Sequence, residues 1–525
     1  MHLNVFLTNE LILLVVPICL VFLSLLPITH SQKLAVMLWG QLSNFILSLL
    51  GFLMYFCLPA SQNLHQMQNF FKIDFAVVCL LMTITFIASV VIFYSERYLN
   101  GDSFRLNFMR YLIVLGFFAS LITVSNNLII SFVAWSSISV SLWVILKSKQ
   151  ESKKAAKTVL YHHLFSDTLL LLALTGIVGL TKTLNVSELP MQLAKINEYT
   201  VFFGPGLAVK PSFIISLLIV LSMSIKSALF PFHRWLLATL EAPTPLSGFL
   251  HAGIVNVSAI LTLQLFPILA TEPSVMILWG FMAFISTVMG TLVMSTQNDV
   301  KRKLVYSTVG QMGFMNLQCA IGFLPAAIFH LMAHGLFKCH MFLQSGSAVN
   351  EGIMQKSWLA DDNSANHLLK TAISLFAFML LIVILVQSKW PIVSINNQIS
   401  FSMLLALGVI LFTAPALKKT NVAMLFGFNL VLFAAASVSV LLANKFDTMA
   451  SIPFKSPEIV ISIILGIFIV IDLSLPAIVR SNLGRALYVH SLNGFYIDDL
   501  VTAFNYKFKT FCVAIEDNLG RAFND

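Results

Sequence analysis

The chain has 525 residues, 58% of them hydrophobic and only 10% charged, with a formal net charge of +9 at pH 7. A mean hydropathy of +0.89 and a succession of apolar runs of about 18 or more residues exclude an ordinary soluble protein and describe a polytopic membrane protein. Little sequence separates one run from the next, so no soluble domain with its own core fits between them.

The first run, Leu11 to Leu26, has no basic flank and no small-residue cleavage site, and is expected to be a retained span. The spans that follow are expected at Leu34–Leu58, Phe75–Tyr94, Tyr111–Val124, Leu128–Leu146, Leu160–Leu180, Phe213–Phe230, Leu246–Phe266, Val275–Ser295, Val305–Phe323 and Ala326–Phe342. Further candidates are Leu368–Val386, Met403–Ala416, Val422–Leu442 and Ile459–Ile478, so the fold class is all-α with about 13 to 15 transmembrane helices.

Alternating the loops from a cytoplasmic Lys33 places 22 of the 31 Lys and Arg on one side and 7 on the other, with Lys226 and Lys338 inside spans. That asymmetry predicts an N-terminus outside and a C-terminus in the cytoplasm, and it accounts for the net charge without nucleic acid. The transmembrane domain is expected to cover residues 1–485. Residues 486–525 interleave aromatics with charges and read as a cytoplasmic or interfacial amphipathic segment, either lying on the membrane or docking a partner.

Chemistry concentrates in a few intramembrane residues. Lys226 sits inside an apolar run, where insertion of a charge costs about 2.5 to 3.5 kcal/mol, and Pro231 predicts that its helix breaks just beyond it. Pro243 and Pro245 predict another break at the start of the next span, which holds His251. His330, His334 and Lys338 recur at i, i+4 and i+8, one stripe of a helix, and suit a proton relay better than a metal pair, because HLMAH lacks the glutamate of the zinc-protease motif. Asp167 is the candidate counter-ion for Lys226, whereas Asp472 has no evident partner in sequence. The six cysteines follow no zinc-site or disulfide spacing, and there is no phosphate-binding glycine loop or haem pattern, so no metal or other cofactor is expected in this chain.

The segments KSALFPFHRWL, EAPTPLSGFLHA, TQNDVKRKLVYSTVGQMGFM and FHLMAHGLFKCHMFL resemble the antiporter-like membrane subunits of respiratory complex I and of multisubunit cation/proton antiporters, over roughly Ser125 to Gly346. The resemblance implies an antiporter-like core at about residues 111–346 with broken helices, and Lys226 as the central proton carrier. It implies that His251 continues the path and that His330, His334 and Lys338 link half-channels; Asp167, Asp299, Lys301 and Lys303 also match family positions.

The chain departs from that pattern in two places. Trp135 is followed by Ser136 where the family carries a glutamate, and Leu368–Val386 has no clear counterpart of the family's later charged break, with Lys370 only at its edge. With HRWLLATLEAPTPLSGFLHAGIVN and RALYVHSLNGFYIDDL, the chain looks like the DabB family of inorganic carbon transporter subunits. That resemblance implies a non-enzymatic, multi-pass subunit of the cell inner membrane. It would pass protons or sodium through Lys226, His251, His330, His334, Lys338, Asp167 and Lys303 to drive CO2 hydration, and so bicarbonate uptake, in a DabA-like partner. The partner resembles a β-carbonic anhydrase and would hold the zinc. The alternatives are a proton-translocating subunit of NADH-quinone oxidoreductase or of a multisubunit Na+/H+ antiporter, or a scaffold that only anchors the zinc protein.

Overall fold

The computed structural model describes residues 30–57, 70–148, 152–197, 201–202, 208–346 and 482–496. The spans expected at Leu11–Leu26, Leu368–Val386, Met403–Ala416, Val422–Leu442 and Ile459–Ile478 lie outside the described residues, as do Lys370 and Asp472.

Five helices come first: α1 (His30–Cys57), α2 (Phe75–Tyr98), α3 (Arg105–Val124), α4 (Leu128–Lys147) and α5 (Lys153–Thr181). A short α6 (Leu189–Asn197) and a two-residue antiparallel ladder of Val201–Phe202 with Ala208–Val209 lead to α7 (Pro211–Lys226) and α8 (Arg234–Ala238). The chain continues through α9 (Thr244–Ala252), α10 (Val257–Leu269), α11 (Pro273–Thr296), α12 (Val300–Ala320) and α13 (Leu324–Leu343), and α14 (Asn482–Leu492) follows much later. Among the described residues 8 stretches are long and apolar enough to cross a membrane, with α9 and α10 counted as one. The protein is a mostly helical, multi-pass membrane protein.

Local sequence explains where the helices begin and end. Asn127 caps α4 by accepting from the amide of Ile129, and Asp299 caps α12 by accepting from that of Arg302. Helix α7 ends at Lys226, as Pro231 predicts; Ala228 follows in a left-handed conformation and the Phe230–Pro231 peptide is cis.

The second break is displaced from its expected place. Pro243 and Pro245 do not interrupt a helix. They flank Thr244 at the start of α9, where the first amides have no intrahelical acceptor and proline costs nothing. The interruption falls nine residues into the span instead: α9 stops at Ala252, Ile254–Asn256 form a single 3₁₀ turn, and α10 resumes at Val257.

Two glycine contacts set how closely the helices pack. A Cβ on Gly290 of α11 would lie 2.4 Å from the backbone nitrogen of Gly310 on α12, so those helices touch main chain to main chain. A Cβ on Gly335 of α13 would lie 2.6 Å from the carbonyl oxygen of Ala252, so α13 rests on the carbonyl that ends α9. The broken pair α9–α10 is thereby enclosed, packing against α2, α3, α7 and α13.

Candidate functional site

The first cluster forms where α7 ends. The Nζ of Lys226 lies 2.9 Å from Oδ1 of Asp167 on α5. It also donates to the carbonyl oxygen of Trp135 on α4 at 2.5 Å and sits 4.0 Å from the centre of that indole ring. Lys226 is 4% exposed and Asp167 6%. Removing two charges from water is expensive, and the ion pair, the carbonyl and the indole face together offset that cost. The carboxylate therefore reaches the lysine from α5, while Ser136, next to Trp135 on α4, has a hydroxyl buried without a hydrogen-bond partner among the described residues.

His163 lies one turn before Asp167 on the same face of α5. It is 1% exposed, and neither ring nitrogen has a hydrogen-bond partner among the described residues. Its ring meets Trp235 of α8 edge-on at 4.5 Å, and the indole N–H of Trp235 donates to the carbonyl oxygen of Ile225 at 2.8 Å. That bond ties α8 to the last turn of α7.

Hydroxyls continue from this cluster to the broken helix. Ser227, directly after Lys226, hydrogen-bonds Ser258 in the first turn of α10. In the 3₁₀ turn, the side-chain amide of Asn256 donates to the carbonyl oxygen of Ala252 at 2.8 Å and repairs the backbone bond lost at the break.

The second cluster surrounds the end of α9. His251 lies face to face with Phe342, ring centres 4.3 Å apart, and its Nδ1 is 3.1 Å from the hydroxyl of Thr308 on α12. Thr308 spends its one hydroxyl proton on the carbonyl of Leu304 at 3.0 Å, so its oxygen accepts from His251 Nδ1–H. Lys338 donates to the same Leu304 carbonyl at 3.3 Å and is 1% exposed. One carbonyl thus joins His251, through Thr308, to Lys338.

His334, one turn before Lys338, is 5% exposed with both ring nitrogens unpartnered among the described residues. Its ring centre is 5.9 Å from that of His330. His330 is half-buried and held at both nitrogens, Nδ1 at 3.1 Å from Gln318 and Nε2 at 3.0 Å from Gln311. A side-chain amide turns to present its oxygen or its NH2, so these glutamines serve the ring in either protonation state.

The structure brings Lys226 and Asp167 into one cluster and His251, His330, His334 and Lys338 into another. Lys303 joins neither: it is exposed in the first turn of α12. Sequence reasoning assigned no role to His163, Thr308, Gln311 or Gln318. The glutamines did leave a signal, since they stand seven residues apart, and so on one face of α12. Among the described residues no three His, Cys, Asp or Glu side chains are grouped so as to hold a metal ion.

The model of the family described as "NADH:quinone oxidoreductase/Mrp antiporter, TM" matches residues 125–409. The "Probable inorganic carbon transporter subunit DabB2" of Halothiobacillus neapolitanus is 33% identical over 293 residues, 55% of this chain and 51% of the relative. The "Probable inorganic carbon transporter subunit DabB" of Bacillus subtilis is 37% identical over 260 residues, 49% of each chain. "NAD(P)H-quinone oxidoreductase chain 5" of Synechocystis is 29% identical over 301 residues, 56% of this chain and 44% of the relative. The chain thus spans about half the length of the curated relatives it matches.

Among solved structures, the Mrp complex of a Dietzia species superposes with a TM-score of 0.57 at 19% identity, covering 93% of this chain and 52% of the other. An archaeal membrane-bound sulfane sulfur reductase gives the same TM-score at 15% identity, covering 94% of this chain and 99% of the other; both are likenesses of fold. The family match begins just ahead of α4, takes in every helix that carries the two polar clusters and extends over more than half the chain, which therefore belongs to the NADH:quinone oxidoreductase/Mrp antiporter transmembrane family.

Proposed function

We propose that this protein is the membrane subunit of an energy-coupled inorganic carbon pump, resident in the cell inner membrane with its C-terminus in the cytoplasm. The observation that carries the reading is the Lys226–Asp167 pair, a buried charge pair at a helix end, with a serine contact from that end to the broken helix, whose first half ends beside a second buried lysine and its histidines. Such groups at membrane depth are expensive and line ion paths. The names of the relatives in Halothiobacillus and Bacillus supply the cargo.

On this reading protons or sodium ions run down their gradient through the two clusters and drive CO2 hydration in a DabA-like zinc protein resembling a β-carbonic anhydrase. The hydration chemistry and the zinc belong to that partner. The membrane potential provides about 2.3 kcal/mol per charge per 100 mV, enough to bias a hydration equilibrium more than tenfold. A second reading, a proton-translocating subunit of a quinone reductase or an Na+/H+ antiporter, has the Synechocystis relative in its favour.

Co-expression of the full chain with a candidate zinc-protein partner, followed by bicarbonate accumulation assays with and without an uncoupler, tests the proposal. Accumulation that an uncoupler and Lys226→Ala each abolish is the expected result. Uncoupler-insensitive accumulation would reduce the chain to a scaffold, and assembly with redox or antiporter subunits instead would favour the second reading.

A further inference from the structure

The cluster at Lys226 needs a proton supply, and the hydroxyls of Ser227 and Ser258 account for only one side of it, the side facing the broken helix. On the other side, toward the Lys153 end of α5, stands His163. Its two ring nitrogens are buried and hydrogen-bond nothing among the described residues, an arrangement that is rare in proteins and calls for a reason. Trp235 cannot satisfy them, because its only N–H is committed to Ile225. Asp167, the partner of Lys226, is one turn further along the same face, and Trp235, which lies against the imidazole, is bonded to Ile225, the residue before Lys226.

A group one position earlier extends the series outward. His162 is half-buried, and its Nδ1 donates to the carbonyl of Thr158 at 2.8 Å, which leaves Nε2 to exchange protons. The groups around His163 are thus His162 next to it and Asp167 one turn along on its own helix, Lys226 paired with that Asp167, and the uncharged Trp235 of α8 against its ring.

We propose that His163 is the relay residue that passes protons between His162, at the Lys153 end of α5, and the Asp167–Lys226 pair. The inference rests on the proton-conducting reading of the cluster. In each transfer an imidazole takes a proton on one nitrogen and releases one from the other, so the ring ends each cycle neutral and in the alternate tautomer, which a ring flip resets. Unlike the ion pair, His163 is bound by no hydrogen bond that such a flip would have to break.

The test uses the full-length chain in proteoliposomes, with proton flux read from an internal pH-sensitive dye under an imposed potential. His163→Ala and His163→Phe are both expected to slow flux on the order of 10²-fold, the usual contribution of a positioned acid–base group. Imidazole in the buffer is expected to restore flux to the alanine variant, which leaves room for it, and not to the phenylalanine variant. Phenylalanine keeps the ring volume and the contact with Trp235, so wild-type flux in His163→Phe would assign the residue to packing and overturn the relay. So would unchanged flux in His163→Ala. Absence of flux in the wild-type chain would overturn the conducting reading itself, and the relay with it; flux that Lys226→Ala abolishes while both His163 variants retain it would overturn the relay alone.

Discussion

The two buried lysines of this protein live under opposite electrostatic conditions. Lys226 is matched by a carboxylate, a carbonyl and an aromatic face, whereas Lys338, equally hidden, touches one backbone carbonyl and stands among histidines. The first cluster therefore holds a charge whose compensation is built in. The second holds a group whose partners are neutral unless they take up a proton. The same residue type is thus buried in two ways, once with a counter-charge beside it and once with no carboxylate beside it among the described residues.

Stability measurements can break that comparison. Asp167→Ala, which leaves Lys226 buried beside no carboxylate, should cost about 3 to 5 kcal/mol in denaturant or thermal unfolding in detergent. The double variant Asp167→Leu with Lys226→Met should recover most of the loss, because it removes both charges; no recovery would mean that the pair is not what stabilises this region. Next in size, Thr308→Val keeps the shape of the side chain but removes the acceptor of His251 Nδ1–H, and should cost about 1 to 3 kcal/mol.

Lys338→Met sharpens the contrast from the other side. With no carboxylate beside it among the described residues, its loss should change stability by less than about 1 kcal/mol while abolishing ion flux. A loss as large as that of Asp167→Ala would reveal a carboxylate partner for it. The smallest effect sets the solvated reference. Glu188, in the turn after α5, accepts from Thr183 and from Asn185, and these bonds hold its carboxyl below the ordinary range. A lowered carboxyl contributes stability above its unfolded pKa and loses it as pH falls through the folded value. Glu188→Gln should thus cost under about 0.5 kcal/mol at neutral pH, since the side chain is exposed, and nothing in acid.

Much of this was legible before any coordinates, for a simple reason: in an apolar helix a lysine, histidine or aspartate is conspicuous. Lys226, His251, His334 and Lys338 stood out by the cost of placing them there. Asp167 was legible as a candidate, but its ion pair with Lys226 joins residues 59 positions apart, a distance that no helical period reports. The break near His251 was misplaced because proline was read as a helix breaker, when at a first turn it is a helix starter; Gly253 and Asn256, the residues at the true interruption, are weaker punctuation. Lys303 carried a motif but not a burial, and periodicity in a helix with a charged first turn could not tell its exposed position from a buried one. His163 went unassigned because its significance lies in what it fails to touch, which only packing reveals.

The contact of Gly335 with the carbonyl of Ala252 has a mechanical consequence. Side chains between two helices act as a soft suspension, since rotamers give way and absorb small movements. At this one point no side chain intervenes, and α13 bears directly on the carbonyl that ends α9, which Asn256 also holds. A side chain larger than glycine at position 335 would have to push the end of α9 aside, so the spacing between the histidine stripe of α13 and the joint beside His251 is set by main-chain contact.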